Sequence, residues 1–325
     1  MEGTTICGGS TETKGMCKAS SAAEEEGVWK AGSAAETEGV RKETSVAETK
    51  GMRIGIFTCG YQRGSLAQAF ADGKRFGYDY VELWGGRPHA FPYDLKQGQL
   101  KEVLQLQDTY GLPVEVYTPE HNAYPYNYMI GGQQQWEDAM AYLETALEMG
   151  KAMGAQYTLI SAGHAGNTAS RSEIRKRLLT SLRRLGEKAE RLEHKILLEP
   201  LTMFESNVCN TANDLAEILS EIDRPWLMGM CDVVVPFVQQ EPAMDYFQKL
   251  GSRMAHLHLV DSDGVSEAHV LPGDGVMPLQ ELLGAIRDYG YQGQATIELV
   301  TAYLKEPSLY AKRAVDWVRA AMARG

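Results

Sequence analysis

Four residues far apart in the chain, Glu199, Asp232, His258 and Glu298, together offer the donors of a single metal site. Glu199 closes the apolar run "KILLE" (195–199) and is followed by Pro200, which fixes its own backbone and holds the preceding residue extended. Asp232 closes "LMGMCD", His258 lies in "MAHLHL" and Glu298 in "QATIEL". Three carboxylates and an imidazole, with no sulfur, suit one divalent ion such as Mn²⁺, Mg²⁺, Co²⁺ or Zn²⁺. Taken singly, a strand-end carboxylate also serves as a helix cap or pairs with a nearby base, and a strand histidine is often a core residue. Taken together, three facing carboxylates repel one another strongly unless a cation joins them.

These residues meet only if the ends of their strands meet. From Met52 onward, β-rich runs near 53–57, 79–83, 113–117, 156–161, 195–199, 227–232, 254–259 and 294–299 alternate with helical stretches. The helices are expected near 65–76, 96–110, 134–153, 170–193, 211–221, 241–250, 278–289 and 308–323. Eight such pairs give the count of an α/β fold of the (β/α)8 TIM-barrel type, whose chemistry collects at the C-terminal ends of the strands. The four donors then fall on strands five to eight, as neighbours on the rim. The competing open doubly wound sheet would more often carry a Gly-rich phosphate loop after its first strand, and "TCGYQRG" (58–64) is not GxGxxG.

Other loops at the same mouth offer substrate contacts. "WGGRPHAF" presents Trp84 as an apolar wall, Arg87 as a partner for a carboxylate and His89 as a donor, although Gly85, Gly86 and Pro88 would also make a plain turn. Tyr117, Tyr124, Tyr126 and Tyr128 are further candidates for a wall, and His164 lies in a "GHAG" loop after strand four. Near "LPGDG" (271–275), Asp261 and His269 are candidates for orienting the ligands from behind.

Composition sets the limits. With 44% hydrophobic and 23% charged residues the chain can build a sizeable core. A net charge of -11 opposes general binding to nucleic acid. No apolar run approaches the ~20 residues of a membrane span, and the acidic N-terminus is unlike a signal peptide, so a cytoplasmic protein is expected. The five cysteines (Cys7, Cys17, Cys59, Cys209, Cys231) are odd in number and lack a CxxC pair, which argues for reduced thiols. Exposed barrel helices would permit a homo-oligomer.

Residues 1–51 read differently from 52–325. They have few large apolar residues, so disorder is expected. They also repeat at a spacing of twelve: "TETKGM" at 11, "AEEEGV" at 23, "AETEGV" at 35 and "AETKGM" at 47. Either the tail is a genuine flexible segment, or the native start is Met52 and the tail a duplication read through from an upstream start. Intact mass of protein from the native host distinguishes the two.

With these blocks in view, the sequence resembles the xylose-isomerase-like sugar isomerase and epimerase superfamily. The likeness rests on "LEP", "CD", "HLHLVDSDG" and "IELV" at the ligand-bearing strand ends. It extends through "IFTCGYQR" (56–63), "ELWGGRPHAF" (82–91), "YTPEHNAYPYN" (117–127), "YTLISAGHAG" (157–166) and "IELVTAYLKEPSLYA" (297–311), and is strongest toward 3-epimerases of ketoses and their sugar-amine adducts. The resemblance implies that Glu199, Asp232, His258 and Glu298 bind the metal, that the two glutamates transfer protons, and that Glu205 contacts substrate oxygens near the carbonyl. Two positions depart from the ketose 3-epimerase pattern: Val235 and Gly264 stand where a histidine and an arginine are common. This favours a substrate contacted differently from a free ketose.

The expected reaction follows from the residues. A proton next to a ketone is removed from one face and returned to the other by two carboxyl groups, while a metal stabilises the enediolate charge. A substrate seated differently would make the same pair an aldose-ketose isomerase, and loss of a β-hydroxide would make a polyol dehydratase. A DNA endonuclease of this superfamily would need more rim histidines and cationic contacts, and a mere sugar-binding protein would have no use for two opposed glutamates.

Overall fold

Side chains alternate between the two faces of a strand, and here both faces are buried. The computed structural model describes residues 51–122 and 125–324, so the repeats at 11–47 and Tyr124 lie outside the described residues. The eight strands of the barrel are β1 (Arg53–Phe57), β2 (Tyr80–Gly85), β3 (Val114–Pro119), β4 (Tyr157–Ser161), β5 (Lys195–Glu199), β6 (Leu227–Asp232), β7 (Met254–His258) and β8 (Gln294–Ile297). All neighbours are parallel, and β1 closes the ring by pairing with both β2 and β8. The expected TIM barrel is the observed fold.

The outer layer consists of α1 (Leu66–Phe76), α2 (Leu100–Tyr110), α3 (Gln133–Ala152), α4 (Arg171–Leu192), α5 (Ala212–Ile222), α6 (Met244–Leu250), α7 (Leu279–Tyr289) and α8 (Pro307–Arg324). Outward residues such as Val81, Leu83, Ile196, Leu198 and Leu257 belong to the large core shared with these helices. The inward Tyr80, Val116, Leu159, Leu197 and Met230 form a separate cluster that fills the lower barrel. Helix ends follow local chemistry. Ser65 caps α1 by accepting from the Gln68 amide, Gly77 ends it at φ 79°, and Ser170 and Glu173 form a reciprocal box at the start of α4. Each such cap contributes about 1 kcal/mol. Among the described residues no helix is long and apolar enough to cross a membrane. Cys59, Cys209 and Cys231 are buried free thiols.

Most element boundaries shift from expectation by one or two residues, and three differences have a local cause or a consequence for the site. The helix expected from 96 begins as a wide turn over Leu95–Gln99, where Gly98 takes φ 135°, a conformation that only glycine adopts readily, and α2 starts at Leu100. The helix expected from 241 starts at Met244 as α6, and a short helical turn that was not expected, Val234–Val238, precedes it. The last strand stops at Ile297 rather than continuing to 299: its ladder to β7 ends at the Thr296–His258 pair and its ladder to β1 at the Ile297–Ile56 pair. Glu298 therefore sits one residue past the final rung.

Candidate active site and metal centre

Toward the C-terminal end of the barrel the inward-facing series turns polar: Leu197 gives way to Glu199, Met230 to Asp232, His256 to His258 and Thr296 to Glu298. Each of Glu199, Asp232, His258 and Glu298 contributes one donor atom to a group in which all lie within 4.8 Å of one another. His258 Nδ1 is 3.0 Å from Glu199 Oε1 and 2.7 Å from Glu298 Oε2, yet it makes no hydrogen bond of acceptable geometry. A buried nitrogen without a partner, facing carboxylate oxygens from two other strand ends of the rim, fits a divalent cation taken up through nitrogen and oxygen donors.

Behind this group lies Glu82, which reading strand ends alone did not find. It is on the inward face of β2, fully buried, and accepts from His256 Nε2 at 2.9 Å, His258 Nε2 at 3.1 Å and Thr118 Oγ1 at 2.7 Å. Burial alone would raise its carboxyl, but His258 and His256 outweigh that and hold it well below the usual carboxylate range. With the His258 Nε2 proton directed at Glu82, Nδ1 is the nitrogen left for a ligand role. The signal in the sequence was a lone carboxylate in the middle of the apolar run "YVELW".

The electrostatics of the cluster are those of crowded acids around few bases. Burial raises Glu199 to about 7, helped by Glu298 and Asp232 and opposed by His258. His269, expected as an orienting group, does touch the cluster: its Nε2 is 3.0 Å from Asp232 Oδ2 and its Nδ1 is 3.5 Å from Glu298 Oε2. Burial pulls the His269 imidazole down, but Asp232 and Glu298 prevail and lift it to about 10. The other Asp232 oxygen accepts from the Val234 amide at 2.9 Å. Asp261, by contrast, makes its bonds within the loop, accepting from the amides of Ser262, Gly273 and Met277 at 2.9–3.0 Å. It shapes the segment that carries His269.

A cavity of about 190 Å³ opens beside Glu199, His258 and Glu298, and its wall includes Trp84, Thr118, Glu120, His121 and Ser161. Trp84 is thus where the sequence suggested. Arg87 is not in the wall: it is bound to Asp94 at 2.6 and 2.8 Å and lies over the Phe91 ring at 4.4 Å. His89 is buried behind Trp84, edge-on at 5.8 Å, with Nε2 3.2 Å from the Gly64 carbonyl. Tyr117 is turned into the outer core because its neighbour Thr118 faces inward, and its hydroxyl donates to the Ala90 carbonyl at 2.7 Å. His164 Nδ1 accepts from the Gly166 amide at 2.9 Å and the residue stands outside the cavity wall. Tyr126 stacks on Tyr142 at 4.0 Å, and Tyr128 donates to the Ser161 carbonyl. Glu205 is exposed beside the wall, held by Thr202 Oγ1 at 2.9 Å and close enough to Asp232 and His269 to feel their charges. The wall residues Phe57, at the end of β1, and Cys59, Gln62, His121 and Asn122, from the segments after β1 and β3, were not anticipated, since none of them belongs to a chemical pattern of its own.

A barrel with this cluster on its rim belongs to a defined class. The chain is a member of the xylose isomerase-like TIM barrel family, whose model matches residues 70–321. It is 48% identical over 268 residues to fructoselysine 3-epimerase of Shigella flexneri, a match covering 82% of this chain and 97% of that protein. The protein is accordingly an isomerase, a carbohydrate epimerase. Among solved structures, the D-psicose 3-epimerase of Clostridium cellulolyticum in complex with D-tagatose superposes with a TM-score of 0.68 at 18% identity, covering 83% of this chain and 99% of that one. The IOLI protein with a bound zinc atom superposes with a TM-score of 0.71 at 18% identity, covering 84% and 99%.

Proposed function

We propose that this epimerase inverts C3 of a ketosamine, with fructoselysine, giving psicoselysine, as the first substrate to test. In this reading it does so with one divalent cation held by Glu199, Asp232, His258 and Glu298. The observation that carries the reading is the pair of carboxyl groups, Glu199 and Glu298, both in the cavity wall and both within 3.0 Å of the same imidazole nitrogen. When bound, the cation supplies Lewis-acid stabilisation for the negative charge that builds on the substrate oxygens at C2 and C3. One glutamate, as carboxylate, removes the proton at C3, and the other, as carboxyl, delivers a proton to the opposite face. Glu199 is raised to about 7 by burial and its acidic neighbours, which suits a group that must give up and take a proton near neutrality. Either glutamate can start the reaction, as a reversible epimerisation requires. Glu82 holds the His258 ring, His269 holds Asp232, and Trp84 lines the side of the cavity.

Glu298→Gln tests the assignment. It removes an acid-base group while keeping size, so turnover falls by about 10²-fold or more, with the unfolding midpoint little changed. Full activity in the folded variant would end this role for Glu298.

A further inference from the structure

We propose that Glu120 and Trp84 form a cation subsite in the same cavity, which takes the ammonium nitrogen carried on C1 of a ketosamine. The inference rests on the epimerase reading above and adds the residues that select the amine. Both side chains line the cavity that contains Glu199, His258 and Glu298. The indole is held from several sides. Its Nε1 donates to Glu120 Oε2 at 3.0 Å, the His89 ring meets it edge-on, and its backbone amide donates to Thr58 Oγ1 at 2.8 Å. Gly86 makes room for it, since a Cβ there would lie 2.0 Å from Trp84 Cζ2. Glu120 is anchored through its backbone carbonyl, which accepts from Tyr142 Oη at 2.8 Å, and its Oε1 has no hydrogen-bond partner among the described residues.

Charge then decides what this corner can hold. Among the described residues, no lysine or arginine lines the cavity, and its charged groups are Glu120, Glu199 and Glu298 with the imidazole of His258. Arg87, close to Trp84 in sequence, is occupied by Asp94. A cation at the four-donor centre would offset Glu199 and Glu298, whereas Glu120 lies outside that donor set and is left to face the substrate. A phosphate brought to this wall meets carboxylates with no positive partner, and a neutral ketose gains at most a hydroxyl hydrogen bond from Glu120, without charge pairing. An ammonium gains both a charge-assisted hydrogen bond to the carboxylate and the face of the indole. The wall thus selects for an amine and against a phosphate.

The test is equilibrium binding to the manganese-loaded full chain, measured by calorimetry with 1-amino-1-deoxy-D-fructose and with D-fructose, which differ by an ammonium against a hydroxyl at C1. The wild type is expected to prefer the amine, and Glu120→Gln to reduce that preference about tenfold while leaving D-fructose affinity unchanged. A wild type that binds both equally, or a folded Glu120→Gln variant that retains the full preference, would overturn the proposal. Because binding and not turnover is read, an error in the C3 chemistry would appear in hydrogen exchange and not in this measurement.

Discussion

Glu82 lies within β2 and closes no strand, yet its removal is expected to weaken the four-donor centre. The carboxylate accepts three hydrogen bonds, from His256 Nε2 at 2.9 Å, His258 Nε2 at 3.1 Å and Thr118 Oγ1 at 2.7 Å, inside a fully buried site. Glu82→Gln keeps the shape but offers a single acceptor oxygen and turns an amide donor toward these donors. At least one imidazole must lose its bond or move its proton to the other nitrogen. For His258 that places a proton on Nδ1, the atom needed for the cation. Losing a hydrogen bond to a charged group costs about 1.5–3 kcal/mol. Loss of the partner behind a metal-binding histidine lowers metal affinity about 10- to 100-fold, or ~1.4–2.7 kcal/mol, so the two routes agree. Competition of manganese against a chelator, measured well below the unfolding midpoint of both proteins, gives the affinity independently of any stability loss. Affinity within about twofold of wild type would refute the role of Glu82 in orienting His258.

Further expectations follow from the same geometry. Burial lowers the His258 imidazole, but Glu298, Glu82 and Glu199 outweigh it and push it well above its ordinary value. Metal uptake must therefore displace a proton, and affinity should rise with pH through the neutral range; calorimetry in buffers of different ionisation enthalpy reads the released proton, and pH-independent uptake would contradict this. His121 and His194 are buried and each is lowered to about 4 by that burial. With folded values below the unfolded one of ~6.5, their contribution is complete above that pH and is lost as pH falls toward 4, about 2 kcal/mol each by pH 5. Urea unfolding of the metal-loaded protein at pH 7 and pH 5 measures the loss, and equal stabilities would show that burial does not hold these rings neutral. Gly86→Ala forces the Trp84 ring to move and should cost about 1–3 kcal/mol; an unchanged denaturant midpoint would mean that the ring has another place to go.

The sequence made the four-donor centre legible because each donor closes or nearly closes an apolar run, and the alternation of β-strands then sends it inward. Pro200 added a local mark for Glu199. Glu82 lacked such a mark. Its partners His256 and His258 are 174 and 176 positions away and come next to it only when the barrel closes. Arg87 shows the opposite failure. Its type suggested a substrate carboxylate, but Asp94, seven residues on, takes the guanidinium first, and no pattern in the loop reveals that competition. Tyr117 and Thr118 differ by one position and therefore by a whole face, so placing Tyr117 depended on a register that only the closed sheet fixes. His269 was legible as a group near the ligands, although its contacts with both Asp232 and Glu298 depend on the loop that Asp261 organises.

The central claim is that two glutamates move a proton at C3 of a ketosamine beside a bound divalent cation. Proton NMR in D₂O with fructoselysine, comparing manganese-loaded with chelator-treated protein, tests it most directly. The account predicts deuterium entering at C3 only when metal is present. Deuterium at C1 instead, exchange that survives removal of the metal, or no exchange at all would contradict it.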